Sequence, residues 1–191
     1  MQKIIIALLG KAGAGKDTVA RILVGNNPEW HMMVSCTTRP MREGEKEGVN
    51  YYYLTNEEFA AKVLNGDMLE AVCFNNWYYG TDKTTLLPGI NVGVFNPEGY
   101  DCFLESAKID PELTVIGFYV DVDDKIRMMR QLTRETDPDV KEICRRYFAD
   151  LEDFDDIDYL NLKKVSNDNL DDLNYTTRYI QEFVENLAVL D

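Results

Sequence analysis

The chain is predicted to fold as a three-layer α/β domain, a five-stranded parallel sheet between helices, and three observations lead there. Short, continuous apolar runs alternate with longer amphipathic stretches. Those runs lack the polar alternation of a half-exposed strand, which suits strands buried on both faces. At 191 residues the chain is most simply one domain, long enough to bury its own core.

The elements follow in order. "KIIIALL" (3–9) is the first strand; "GKAGAGKDT" (10–18) comes directly after it, and "DTVARILV" opens the first helix. "MMVSC" (32–36) is the second strand, "INVGVF" (90–95) the third, "TVIGFYV" (114–120) the fourth and "YLNLKKV" (159–165) a weaker fifth. Between the second and third lies a segment of different texture: "GVNYYYL", a helix, then "MLEAVCFNNWYYGT". It is expected to be a small α+β lobe. Its helix carries a capping box in Thr55 and Glu58, an apolar face in Phe59 and Val63, and a stop at Gly66. Asn75 and Asn76 mark a hairpin turn. A later helix runs over 123–134, and the next starts with Asp137 as cap and Pro138 in the first position. Val140, Ile143, Tyr147, Leu151 and Phe154 make its apolar stripe, with Arg145 and Arg146 off it.

Thirty-four acidic against twenty basic side chains give a net charge of -14, a long-range field that repels nucleic acids and anionic membranes. A phosphate ligand must then sit in a locally basic pocket. Cys36, Cys73, Cys102 and Cys144 form no CxxC pair, so reduced thiols rather than a metal cage are expected. The N-terminal apolar run is too short for a signal peptide or membrane span. The expectation is a soluble, cytoplasmic protein whose partners are small molecules; monomer and homodimer both stay open.

"GKAGAGKDT" has glycine, four residues, then Gly15 and Lys16, between a strand and a helix, as a triphosphate-cradling loop requires. Gly10, Lys11, Ala12, Gly13, Ala14, Gly15, Lys16, Asp17 and Thr18 would bind ATP: backbone N–H groups face phosphate oxygens, and Lys16 neutralises charge between the outer phosphates. A second phosphate site is offered by Arg39 and Arg42, three residues apart, with Tyr51 and, after the hairpin, Tyr79. Two guanidinium forks can take a monophosphate dianion bidentately. Spacing alone leaves a solvated loop with surface arginines as the alternative. His31 begins a strand and is given a structural role.

"VSCTTRPMREGEKEGVNYYYLTNEEF" and "LEAVCFNNWYYGT" resemble the acceptor-binding signature of guanylate kinases, and the likeness runs from the phosphate loop to "SNDNL". The resemblance implies a P-loop NTPase fold with a core at 1–36, 89–123 and 148–191, an acceptor lobe at 37–88 and a lid at 124–147. It also implies transfer of a phosphoryl group from ATP to GMP or dGMP. Arg39, Arg42, Tyr51 and Tyr79 would hold the acceptor phosphate, and Ser35, Glu70 and Thr81 would read the base. A carboxylate accepts from guanine's N1–H and exocyclic amine, whereas adenine presents an acceptor at N1. "RQLTRETD" resembles the lid, so Arg130 and Arg134, with Arg146 or its rival Arg145, would stabilise the transferring group. Asn167 of "SNDNL" would lie against adenine, and Mg²⁺ would join the β- and γ-phosphates near the Thr18 hydroxyl.

Two departures stand out. The family resemblance calls for an aspartate where Asn96 stands, and for a lid glycine where Glu135 stands. Asn96 keeps an accepting oxygen but loses charge, and Glu98 is a nearby substitute. Two rival readings follow: a broader deoxynucleoside monophosphate kinase, and a non-catalytic binding module of the same fold. A regulatory GTPase is disfavoured by the missing NKxD guanine reader.

Overall fold

The computed structural model describes residues 2–42, 44–74, 76–134 and 136–188. In chain order the elements are β1 (Lys3–Leu9), α1 (Lys16–Asn26), β2 (His31–Met32), β3 (Cys36–Thr37), β4 (Tyr52–Tyr53), α2 (Asn56–Leu64), β5 (Met68–Phe74), β6 (Trp77–Asp82), β7 (Gly89–Val94), α3 (Pro97–Ile109), β8 (Leu113–Asp121), α4 (Asp124–Arg134), α5 (Val140–Asp153), β9 (Lys163–Ser166) and α6 (Leu170–Ala188). A five-stranded parallel sheet has the order β2-β7-β1-β8-β9, and a four-stranded sheet the order β4-β3-β6-β5. The chain divides into two compact units, residues 1–7 with 29–116, and residues 8–28 with 117–191.

In the first unit β2 pairs parallel with β7, His31 opposite Asn91. Phe95 and Phe103 pack in its core with ring centroids 4.7 Å apart. The smaller sheet sets β6 antiparallel to β5, with Thr81 opposite Glu70. The Thr55–Glu58 capping box closes both ways at the start of α2. Phe59 is buried under that helix, but Val63 is exposed, so its apolar face is one residue wide. Gly66 follows the C-cap with φ +72°, and Asn76 turns the hairpin at φ +63°; Asn75 lies outside the described residues.

The second unit pairs β8 with β9, Phe118 opposite Lys163, and packs α1 on α6 and α4 on α5. Val19, Leu23, Phe118, Ile180 and Val184 are buried there.

Three expectations are corrected. The run at 32–36 is two short strands in separate sheets. Met33 still donates its N–H to Val92, whereas Ser35 and Thr37 carbonyls accept from Tyr52 and Leu54 of the smaller sheet. Apolarity marks burial without saying in which sheet. The run at 159–165 begins with a 3-10 turn at Asp158–Leu160, and Asn161 at φ +49° breaks it before β9. The helix expected to start at Pro138 with Asp137 as cap starts at Val140, because the Asp139 carboxylate accepts the Glu142 N–H. Its face also differs: Ile143 and Asp150 are buried, while Val140 and Leu151 are exposed.

Candidate active site

The phosphate loop joins β1 to α1 in the second unit. Gly13 has φ +83°, and a Cβ there would stand 2.5 Å from the Arg127 carbonyl oxygen, so only glycine lets the loop lie this close to α4. Gly15 occupies the N-cap of α1 in the left-handed region and provides no side-chain cap. The Gly15 carbonyl accepts from the Thr18 and Val19 N–H groups, and among the described residues no side chain accepts from those of Lys16 and Asp17, which suits an anion. The Lys16 ammonium is folded onto the loop, donating to the carbonyls of Gly10 at 2.6 Å and Lys11 at 3.3 Å. Burial lowers its pKa, opposed by the charges of Asp17 and Asp150. Asp17 and Thr18 are both exposed on the first turn.

Arg130 donates through Nη2 to the carbonyls of Asn167 and Asp168. Its buried Nη1 has no partner among the described residues and lies 4.0 Å from where a Gly15 Cβ would stand. A buried guanidinium donor without an acceptor beside a helix N-terminus matches an anion's needs. Asn167 is buried and its Nδ2 donates to the Ala14 carbonyl at 2.7 Å, so its amide braces the loop. Arg134 is exposed at the end of α4. Arg145 and Arg146 share Glu142; Arg146 is the less exposed, 19% against 40%. Hydrogen bonds from Arg145 and Arg146 hold the Glu142 carboxyl at about 2. Glu135 lies outside the described residues.

The first unit gathers the other predicted residues. Arg39 is buried, its guanidinium 5.4 Å above the Tyr51 ring and 2.9 Å from Glu45. Tyr51 and Tyr79 meet edge to face at 5.9 Å. Arg42 is exposed, and its backbone N–H donates to Glu45. Glu45 also accepts the Tyr53 hydroxyl at 2.7 Å. Partial burial opposes its charge, yet Arg39, the Arg42 N–H and Tyr53 hold it down at about 2.

Deeper in this unit the Ser35 and Thr81 hydroxyls are 3.4 Å apart, and Thr81 donates to Glu70 at 2.8 Å. Burial pushes Glu70 up to about 7, with the nearby charge of Glu98 adding and Thr81 opposing. Asn96 caps α3, its Oδ1 accepting the Gly99 N–H, and a Cβ at Gly99 would lie 3.8 Å from the Glu70 carboxylate. The accepting oxygen of Asn96 is therefore already engaged by backbone.

Sequence reasoning missed Glu45, and with it the order of the arginine loop. It also missed Arg127 and Asp150, a buried ion pair at 2.8 Å behind the phosphate loop. The available signal was Asp124 three residues before Arg127, a helical pair spacing.

The "Guanylate kinase" family model matches residues 1–186. The curated guanylate kinase of Gloeobacter violaceus is 40% identical over 89 residues, 47% of this chain and 43% of that protein. That of Chlorobium luteolum is 42% identical over 77 residues, 40% of this chain and 39% of that protein. These aligned stretches span under half the length of those relatives. The crystal structure of guanylate kinase from Anaplasma phagocytophilum superposes with a TM-score of 0.69 at 20% identity, covering 97% of this chain and 86% of that one. At that identity the likeness shows the shared fold.

Proposed function

The chain belongs to the guanylate kinase family, and from that premise we propose that it transfers the γ-phosphoryl group of ATP to GMP or dGMP in the cytoplasm. The observation that carries the guanine assignment is Glu70: a buried carboxylate, joined by hydrogen bonding to Thr81, in the same unit as a monophosphate grip of Arg39, Tyr51 and Tyr79. When ionised it accepts from guanine N1–H and the exocyclic amine together; adenine offers no matching donor at N1. Ser35 and Thr81 complete the polar edge of the base pocket. Arg42, exposed beside Arg39, supplies the second fork for the phosphate.

On the donor side the free N–H groups of α1, Lys16 and the unpartnered Nη1 of Arg130 take the triphosphate. Lys16, Arg130, Arg134 and Arg146 offset charge spread over the transferring group's equatorial oxygens. The acceptor oxygen is already ionised, so positioning and charge compensation suffice without a general base. Among the described residues no three His, Cys, Asp or Glu side chains converge on a metal. The exposed hydroxyl of Thr18 would hold a Mg²⁺ that arrives on the nucleotide. When bound, Mg²⁺ supplies charge neutralisation between the β- and γ-phosphates.

A second reading, a broader deoxynucleoside monophosphate kinase, is favoured by Asn96, whose engaged oxygen leaves Glu70 as the main selector of the base. Coupled ADP-release assays with GMP, dGMP, dTMP, dCMP and AMP decide. GMP or dGMP should have the highest kcat/KM; a pyrimidine monophosphate in that place would replace the guanine assignment with the second reading. No ADP release with any acceptor would point to a non-catalytic module.

A further inference from the structure

Three side chains of α4 and α5 converge on Ala12 of the phosphate loop. Ala12 donates its N–H to Asp150 Oδ2 at 2.9 Å, and its carbonyl accepts from Gln131 Nε2 at 3.3 Å and Arg127 Nη1 at 3.5 Å. Arg127 is fully buried. It also donates through Nη1 to the same Asp150 oxygen at 2.8 Å and through Nε to Asp124 at 2.6 Å. The Tyr147 ring lies 4.4 Å from the guanidinium, and its hydroxyl donates to Asp124 at 2.9 Å. The donor and acceptor of Ala12 are thus both held from behind the loop, by residues that the motif does not contain.

A buried ion pair is weak evidence for stability, since apolar replacements of similar volume often serve as well. What apolar residues cannot do is fix the direction of a peptide. Were the Ala12–Gly13 peptide to turn over, the Ala12 carbonyl would enter a cradle whose attraction for phosphate comes from inward N–H groups. Arg127 and Arg130 also sit three residues apart on α4, so the helix that holds Ala12 carries the unpartnered Nη1 beside Gly15. Arg127 Nη2 and Gln131 Oε1 are likewise buried without a partner among the described residues, so this network has spare hydrogen-bonding capacity around the loop.

We propose that Arg127 and Asp150 are a positioning pair for the donor nucleotide, fixing the orientation of the two peptides that flank Ala12 and their registry with Arg130. This rests on the reading of the loop as the ATP site. The partners of the pair, Ala12, Asp124 and Tyr147, all belong to the second unit, which carries the phosphate loop, so its loss should fall on ATP selectively.

The test uses the full chain with Arg127→Met, Asp150→Asn, the double variant and Arg127→Lys. ATP and GMP affinities are measured separately by calorimetry, alongside thermal melts and hydrogen exchange over residues 10–16 in nucleotide-free protein. Each single variant should weaken ATP about tenfold or more and leave GMP within about twofold. The double variant should be no worse than the weaker-binding single, as expected of groups acting as one unit. Arg127→Lys should recover part of the loss, and loop exchange should quicken in Arg127→Met and Asp150→Asn. Wild-type ATP affinity and loop exchange in folded variants, or equal losses for both nucleotides, would overturn the proposal. Should those variants not fold, Tyr147→Phe removes only the hydroxyl held by Asp124, and the same selective loss, about threefold, is expected; its absence overturns the proposal. If the wild type binds no ATP, the functional reading fails, while loop exchange in the nucleotide-free variants still decides whether the pair holds Ala12.

Discussion

Glu70 accepts the Thr81 hydroxyl at 2.8 Å while only 8% of the residue is exposed, and that burial brings its carboxyl to about 7. Burial around this pair places the protonation of Glu70 near neutral pH, while the Thr81 hydrogen bond opposes the rise.

A pH dependence follows for acceptor binding. Guanine donates at N1 and the amine, so Glu70 must be ionised, and in the free protein the ionised fraction drops about tenfold per pH unit below 7. The KM for GMP should level off above about pH 8 and rise as pH falls from 7 to 5.5, with the KM for ATP changing less. Glu70→Gln should raise the GMP KM by about 100-fold, remove this dependence and improve AMP relative to GMP, because a glutamine amide donates to adenine N1. Steady-state kinetics across pH 5.5–8.5 check it; an unchanged slope in Glu70→Gln would assign the titration elsewhere.

Glu45 holds Arg39 and Tyr53 and stays ionised down to about pH 2. Its removal should act through Arg39 without adding a pH dependence in the neutral range. Glu45→Ala should raise the GMP KM by about tenfold, and Tyr53→Phe by about threefold, with the ATP KM within about twofold in both. Losses shared equally by ATP would show general loosening instead. Because the Glu45 pKa is depressed, its contribution to stability is present above its unfolded value and is lost as pH falls toward 2.

Much of this was legible in sequence, for physical reasons that differ by element. The phosphate loop and the capping box of α2 are local: Gly15, Lys16, Thr55 and Glu58 interact within a few residues, so spacing predicts their geometry. Spacing suggests Arg39 and Tyr79, whereas Glu70 and Thr81 come only with the family signature, and the antiparallel register of β5 and β6 is what brings Glu70 opposite Thr81. The ion pair of Arg127 with Asp150 was not legible, since 23 residues separate partners on different helices and neither belongs to a motif. Splitting the run at 32–36 was hidden for a related reason: periodicity reports burial, not which sheet receives the strand.

The first turn of α1 yields a discriminating pair. Asp17 and Thr18 are both exposed, and a carboxylate near a helix N-terminus is favourable without touching phosphate. Asp17→Ser should leave the ATP KM within about twofold, while Thr18→Ala should lower kcat by about tenfold or more and raise the Mg²⁺ concentration needed for half-maximal rate. Titrating Mg²⁺ at fixed ATP distinguishes the two, and the reverse pattern would place Asp17 at the metal.

Asn96→Asp asks whether the missing charge limits base selection. Aspartate caps as well as asparagine, and its charge at the N-terminus of α3 interacts favourably with the helix dipole, so the melting temperature should hold or rise slightly at pH 7. The added carboxylate also lies in the neighbourhood of Glu70, since Gly99 links the two through the Asn96 hydrogen bond and its close approach to the Glu70 carboxylate. Two opposing effects then meet: a second acceptor for the guanine amine, and a like charge that pushes the Glu70 pKa further up. Above pH 8, where both are ionised, the first should dominate, and kcat/KM for GMP relative to dTMP should increase several-fold. At pH 6 the second should dominate, and the advantage should shrink or vanish. Measuring the GMP-to-dTMP ratio at both pH values separates the effects, and a ratio unchanged at pH 8 would leave Glu70 as the sole guanine selector.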